Sequence, residues 1–347
     1  MAEEKHQRRI HYSGKYPRHY KEKYKELNPE KYSGILEKVQ RKGTTPAGTH
    51  IPIFVKEIMD ILKIKPGERG FDATLGYGGH SRIMLEKLNH QGHLYATDVD
   101  PIESAKTQKR LAAAGFGADD ITICHTNFAN IDQIAAEYGK FDFVLADLGV
   151  SSMQIDNPER GFTYKFSGPL DLRMNPEQGV SAAERLKNIS VDELEGMLET
   201  NADEPYARLI AKTIVNDLSR GQEIATTDAL YHEIEKALLR EKAEDKKELV
   251  KKTAARVFQA LRIDINHEYE VLYDFLSKLP ECVNPGGRIV ILTFHSGEDR
   301  LVKQAFKEYY RQGIYSDISQ HVIRPSAEEC ARNSRAHSTK LRWAVKA

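Results

Sequence analysis

The sequence predicts an α/β fold: a doubly wound, mainly parallel sheet interrupted by an all-helical insertion. Three observations carry this expectation. Strand-like and helix-like segments alternate from about Thr49 to Asp147. The alternation breaks near Ser152, and residues 153–252 carry helical patterns instead. A further apolar strand, Arg288 to Phe294, returns only after that stretch. Strands alternating with helices imply right-handed βαβ units and parallel pairing.

The elements follow in order. Phe54, Val55, Ile58, Met59, Ile61 and Leu62 have helical spacing, and Pro66-Gly67 ends that helix. Gly70 to Thr74 is a short strand running into a glycine turn, and Ser81 to Leu88 reads as a helix. Leu94 to Thr97 is a second strand, followed by a helix that opens at Pro101, a residue suited to a first helical turn. Ile121 to Cys124 and Phe141 to Ala146 are the third and fourth strands. In the insertion, Ser190 and Glu193 form a capping box ahead of Leu194 and Leu198. Asp203-Glu204-Pro205 opens a helix with Leu209, Ile210, Ile214 and Leu218 on one stripe. Thr227 is placed to cap a helix containing Leu230, Ile234 and Leu238. Glu241 to Lys252 is a charged helical linker, a long helix is expected from Ala254 to Leu279, and Asn284 to Gly287 is a turn. The expected organisation is an extension over 1–43, a helical insertion over 153–252, and an α/β domain made of 44–152 and 253–347.

Composition removes several function classes. The chain has 347 residues, with 51 Lys+Arg against 51 Asp+Glu, so global charge gives no argument for a nucleic-acid partner. No apolar run is long enough to span a bilayer, and the N-terminus has no apolar leader core. Cys124, Cys282 and Cys330 are isolated from one another, with no C-x-x-C pair and no His/Cys cluster at metal-ligand spacing, so no metal site and no disulfide is expected, and the chain reads as cytoplasmic. Residues 1–43 hold twelve Lys/Arg against six Asp/Glu, with Tyr12, Tyr16, Tyr20, Tyr24 and Tyr32 interspersed. Such a segment lacks the apolar area to fold alone. It reads as a solvated tail, or as a mixture suited to RNA backbones and bases.

The chemistry centres on Phe71-Asp-Ala-Thr-Leu-Gly-Tyr-Gly-Gly-His80. A strand feeds a glycine turn that opens a helix, so the backbone can pass close under a ligand and offer free N–H groups. The dinucleotide fingerprint needs a third glycine at the sixth position, and Ser81 stands there. Without a lysine the turn is not a phosphate-binding loop either. An aspartate followed by this turn suits the aminoacyl part of S-adenosylmethionine. Asp98 ends the second strand 26 residues after Asp72, where an acidic side chain can accept both ribose hydroxyls of an adenosine. Asp100 competes for that role or caps the helix at Pro101. Phe128 follows the third strand and either packs on adenine or sits in the core. Asp147 to Ser152 closes the fourth strand, where polar side chains face a ligand in this topology. The Asp/Asn-Pro-Pro-aromatic motif of many amine methyltransferases is replaced here by Asp147-Leu-Gly-Val.

These residues, with His50-Ile-Pro52, Glu159-Arg-Gly-Phe162, Gly168-Pro-Leu-Asp-Leu-Arg-Met174, Phe258-Gln-Ala-Leu-Arg-Ile263, Pro285-Gly-Gly-Arg288, Phe294-His-Ser-Gly-Glu-Asp-Arg300 and Ser334-Arg-Ala-His-Ser338, run in order from about residue 49 to the end. In them the chain resembles the bacterial small-subunit (16S) ribosomal RNA cytosine-N4 methyltransferases. The resemblance implies a Rossmann-like class I S-adenosylmethionine-dependent methyltransferase fold with an inserted helical domain. It implies cofactor contacts at Gly78, Gly79, His80, Asp98, Phe128, Asp147 and Gln154, and a cytosine of the small-subunit RNA near the P site as substrate, met as rRNA or in the 30S subunit. A homodimer is left open. Departures from the family pattern are those of a divergent second copy. Lys252-Thr-Ala-Ala-Arg256 replaces His-Pro-Ala-Thr-Arg, Gly297 stands where Leu is usual, Ser334 where Pro is usual, and the basic extension is additional.

The exocyclic amine of cytosine is a poor nucleophile, so a group accepting an N4–H bond is needed to turn its lone pair out of conjugation. Asp147, Ser151 and Ser152 are the candidates, with Asp147 preferred. Asp171, Arg173 and His295 are candidates for contacting the base and a phosphate. Arg256, Arg262, Arg300, Arg332, Arg335, Lys340 and Arg342 are expected to form a phosphate-binding surface. The base would have to be flipped or single-stranded. Two other functions stay open: a ribosome-assembly or RNA-binding factor with a retained cofactor site, and an N-methyltransferase of another RNA or a protein amine.

Overall fold

The computed structural model describes residues 52–347, apart from the side chains of Ser152, Arg332, Ser334 and Arg335. The extension 1–43, His50, Ile51 and the side-chain roles expected of Ser152, Arg332 and Arg335 lie outside the described residues.

The described chain builds a seven-stranded sheet in the order β3-β2-β1-β4-β5-β7-β6. The strands are β1 (Arg69–Asp72), β2 (His93–Thr97), β3 (Ile121–Cys124), β4 (Phe141–Asp147), β5 (Val283–Thr293), β6 (Tyr315–Ile318) and β7 (Lys340–Lys346). Pairing is parallel from β3 through to β5, while β7 is antiparallel to both β5 and β6. The chain winds outward from β1 through β2 to β3, then restarts at β4 on the other side of β1. This reversal between β1 and β4 opens a crevice at their carboxyl ends, where ligands bind in such sheets.

Alternation across the pleat explains why the centres of β4 and β5, Phe143–Ala146 and Ile289–Leu292, are apolar throughout. Val144, Ala146, Ile289 and Ile291 enter one core layer, and Phe143, Leu145, Val290 and Leu292 the other. Strands buried on both faces have no solvated side to mark with polar residues. The first layer is covered by α4 (Ile131–Tyr138), α11 (Glu268–Cys282) and α12 (Ser296–Arg311), and the second by α1 (Val55–Leu62), α2 (Gly79–Leu88) and α3 (Pro101–Ala113).

Between β4 and β5 every described regular element is helical. Here α5 (Ser152–Asp156) is followed by α6 (Ala182–Lys187), α7 (Val191–Ala202), α8 (Ala207–Ser219), α9 (Thr227–Ala237) and α10 (Lys246–Asn266). A separate apolar core, running from Phe162 to Leu261, joins them. The expected boundary at 252/253 falls inside α10, which crosses it unbroken and carries the chain back towards the sheet.

Four local expectations are corrected. The long helix divides at His267, which adopts φ +51° as the C-cap of α10 and N-cap of α11. Asp203 ends α7 in the left-handed region and does not open α8. Thr226, not Thr227, caps α9, while Thr227 donates its hydroxyl to the Phe166 carbonyl. Asn284 to Gly287 lie inside β5 as a bulge: Val283 pairs with Phe141 and Arg288 with Phe143, so extra residues are absorbed where the strand begins.

Candidate functional site

The glycine turn stands at the carboxyl end of β1. Gly76 (φ +47°) and Gly78 (φ +72°) take left-handed conformations, and a Cβ on Gly78 would lie 2.7 Å from Thr107 Cγ2. A Cβ on Gly79 would lie 2.6 Å from Pro52 Cγ. The turn is therefore packed from behind by α3 and by Pro52, leaving its backbone to face the crevice. Gly78 is the N-cap of α2, and no side chain caps this helix. Its first N–H groups and positive dipole end are thus not spent on a side-chain cap.

Asp72, buried at the end of β1, accepts the Ser81 hydroxyl at 2.5 Å and the Thr74 N–H at 3.1 Å. Burial raises its carboxyl above the usual carboxylate range, against the pull of those two donors. Thr74 accepts the Asp147 N–H at 2.7 Å, which ties the turn to the end of β4.

Asp98 follows β2. It accepts the Gly76 N–H at 2.9 Å on one oxygen and the Asp100 N–H at 2.8 Å on the other. Each oxygen keeps a second lone pair. Burial pushes this carboxyl up to about 6, against the two amide donors. Asp100 does not compete for a ligand. It is fully buried and caps α3 by accepting the Ile102 and Glu103 amides, and its second oxygen accepts Gln154 Nε2 at 3.0 Å and Arg160 Nη1 at 2.7 Å.

His80 and Asp147 meet across the crevice, with Nε2 3.6 Å from Oδ2. Both ring nitrogens of His80 and Oδ1 of Asp147 are buried without a hydrogen-bond partner. Buried polar atoms are seldom left so, because each costs about 1–3 kcal/mol when unpaired.

The other expected residues are distributed unevenly. Phe128 is half-buried and packs edge-on against Phe275 with ring centroids 5.1 Å apart. Ser151 caps α5, accepting the Gln154 N–H, and Gln154 Oε1 accepts the Ser151 N–H in return. The side chain of Gln154 is thus held between Ser151 and Asp100. Asp171 and Arg173 pair with each other through two contacts of 2.6 and 2.9 Å, so in this arrangement neither side chain is free for a base or phosphate. His295 is half-buried as the N-cap of α12, its Nε2 3.2 Å from Glu298 Oε1. Burial would raise the Glu298 carboxyl, but His295 and the Phe294 amide hold it below the usual range. Glu268, His295 and Glu298 bring ligand atoms within 4.8 Å of one another, yet Arg262 already grips Glu268 at 2.7 and 2.9 Å.

Several residues of the expected phosphate surface are held by the same kind of pairing. Arg256 binds Glu204 at 2.6 Å, Arg262 binds Glu268, and Arg342 binds Asp299 at 2.7 Å. Arg300 and Lys340 each lie 3.9 Å from a carboxylate. Sequence counts of basic residues do not reveal which are already neutralised by partners distant in the chain. The Asp100–Arg160 pair escaped the sequence reading for that reason too, although Arg160 stands in the Glu159-Arg-Gly-Phe162 segment.

The departure at Gly297 has a local cause. A Cβ there would overlap the Tyr269 hydroxyl and ring, and that hydroxyl donates to the Asn201 carbonyl at 3.2 Å.

Comparison with known proteins agrees with this geometry. Ribosomal RNA small subunit methyltransferase H 1 of Agathobacter rectalis is 66% identical over 348 residues, covering 100% of each chain. Ribosomal RNA small subunit methyltransferase H 2 of Alkaliphilus metalliredigens is 57% identical over 345 residues, 99% of each. Ribosomal RNA small subunit methyltransferase H of Heliobacterium modesticaldum is 36% identical over 315 residues, covering 86% of this chain and 98% of its own. The family model described as the MraW methylase family matches residues 47–347. That match takes in every described residue, and the chain belongs to the MraW methylase family.

Proposed function

We propose that the protein N4-methylates a cytosine of small-subunit (16S) ribosomal RNA near the P site, meeting it within the 30S subunit in the cytoplasm. The relatives named for small-subunit RNA methylation support the substrate. No described helix is long and apolar enough to cross a membrane. One observation carries the placement of the chemistry: the unpartnered polar atoms of His80 and Asp147 converge at the carboxyl ends of β1 and β4.

The methyl donor is S-adenosylmethionine, which supplies an electrophilic methyl group on sulfur when bound. The residues present fit it. The uncapped N-terminus of α2 and the His80 ring suit a carboxylate, and the free lone pairs of Asp98 suit two ribose hydroxyls. Phe128, beyond β3, offers an apolar wall for the adenine. Gln154 acts through Asp100. Asp147 holds the N4–H of the cytosine and takes the proton that the amine loses on methylation; its orphaned Oδ1 is the accepting atom. Ser151, a cap whose oxygen already accepts an amide, is the weaker acceptor. Positioning within about 3–3.5 Å of the methyl carbon supplies much of the rate, since the acceptor is a weak nucleophile.

Deleting the gene in a strain without a second copy should abolish N4-methylcytosine at one small-subunit position, read by mass spectrometry of RNA fragments. An unchanged N4-methylcytosine signal would rule out the substrate. Loss of methylation elsewhere, in another RNA or on a protein, would favour a different amine. Normal methylation with defective subunit assembly would favour an assembly factor.

The Asp98 carboxyl also sets a pH dependence. Its ordinary value is 3.8 and its folded value about 6, so between these pH values the folded state holds a proton that the unfolded state has lost. Through Asp98, stability therefore falls as pH rises across that window. Cofactor binding runs the other way, because ribose hydroxyls need the carboxylate. Titration calorimetry should find affinity about tenfold weaker at pH 5 than at pH 7. A flat profile would remove Asp98 from the ribose.

A further inference from the structure

One ion pair joins the two halves of the site. Arg160 lies in the short 3-10 turn after α5, Pro158–Arg160. Its side chain is 12% exposed and that of Asp100 is 0% exposed. One arm, Nη1, donates to Asp100 Oδ2 at 2.7 Å. The other, Nη2, donates to the carbonyls of Arg173 at 3.2 Å and Met174 at 2.7 Å. Asp100 in turn donates its N–H to the Asp98 carboxylate at 2.8 Å. The path from the ribose residue to the Gly168–Met174 loop thus consists of a backbone amide, a buried carboxylate and a guanidinium.

The loop at the far end is held rather than free. Leu172 is buried at φ +64°, a conformation that a branched residue adopts only when its surroundings impose it. Its carbonyl accepts Asn266 Nδ2 at 2.8 Å, and Asn266 Oδ1 accepts the Met174 N–H at 2.7 Å. Arg160 supplies the remaining restraint on the carbonyls of Arg173 and Met174. A buried pair whose partners are this fully used resists separation, since removing either leaves an uncompensated charge. A displacement at residue 100 would therefore be passed to Arg160, and through it to the carbonyls of Arg173 and Met174.

We infer that Arg160 is a positioning residue that makes cofactor binding and RNA binding depend on each other. This rests on the reading of Asp98 as the ribose acceptor and on taking the Gly168–Met174 loop, whose Asp171 and Arg173 side chains hold each other, as meeting RNA through the rest of its surface. Both ligands favour one arrangement of the Asp98–Asp100–Arg160–loop path, so each strengthens the other by the same factor.

The test uses the full-length chain, S-adenosylhomocysteine as the unreactive nucleoside and unmodified 30S subunits as the RNA. In the wild type, S-adenosylhomocysteine should bind about 5- to 150-fold more tightly when the subunit is present. R160K keeps a cation beside Asp100 but loses the second arm, and its ratio should fall towards one with the melting temperature preserved. A purely structural role would lower both affinities and leave the ratio intact. Hydrogen exchange on the wild type needs no variant: S-adenosylhomocysteine alone should slow exchange of the amides of residues 170–174. A wild-type ratio of one, an R160K ratio equal to the wild type, or unchanged exchange in the loop overturns the inference. D98N separates the two readings. Unaltered nucleoside affinity in D98N defeats the ribose assignment, whereas weakened affinity with an intact ratio defeats only the coupling.

Discussion

Replacing Asp147 with alanine should lower kcat by roughly 10²- to 10⁴-fold, the range expected when a positioned proton acceptor is removed. Cofactor affinity should change by less than about tenfold, because the Asp147 backbone stays in β4 and keeps its N–H bond to Thr74. The split follows from geometry. The carboxylate lies at the switch point with Oδ1 unpartnered, and among the described residues its close side-chain contact is the one of 3.6 Å with His80. D147N discriminates further. It preserves shape and one acceptor oxygen but cannot take a proton, so kcat should still fall. Single-turnover rates on 30S subunits, together with titration calorimetry of the cofactor, measure both quantities. A kcat within threefold of wild type (about 0.7 kcal/mol of barrier) would remove Asp147 from the chemistry.

The second large effect is expected at Asp98. In D98N one carboxylate oxygen becomes an amide NH₂, which must then face the N–H of either Gly76 or Asp100. Two donors cannot bond each other, so the variant loses a turn contact as well as part of its grip on the ribose hydroxyls. Hydrogen bonds to a charged acceptor are worth about 1.5–3 kcal/mol each, so a loss of roughly 10²-fold in cofactor affinity is expected. The weakening should persist at every pH, and the rise in affinity between pH 5 and pH 7 should disappear. If D98N bound normally at pH 7, another group would have to carry the ribose.

The parts of the fold that could be read in advance are those where local chemistry and tertiary structure agree. Phe143 to Ala146 and Ile289 to Leu292 read as strands because both faces are buried and nothing polar interrupts them. The glycine turn was legible because Gly76 and Gly78 take positive φ, which few other residues tolerate. The last two strands carried no such signal. Lys340-Leu-Arg-Trp-Ala-Val-Lys346 reads as a basic segment, and only its pairing with β5 and β6 makes it a strand. The break at His267 was hidden because the apolar spacing continues on both sides of it. In the site, positions near the ends of strands were legible from topology. Their partners were not: Asp100 and Arg160 are 60 residues apart, and Arg256 and Glu204 are 52 apart. Such pairings are tertiary facts. They decide which charged groups remain available to a substrate.

Gly297 and Tyr269 show what such pairings do to change over time. A leucine at position 297 does not fit while the Tyr269 ring occupies the space and its hydroxyl holds the Asn201 carbonyl. Nor can Tyr269 shrink without opening a void beside His295, whose ring centroid lies 5.8 Å from its own. Each single step is disfavoured and only the double change restores packing, the situation in which substitution energies fail to add. The two positions thus form a ratchet. Leucine introduced at 297 alone should therefore lower the melting temperature more than leucine at 297 together with a smaller residue at 269.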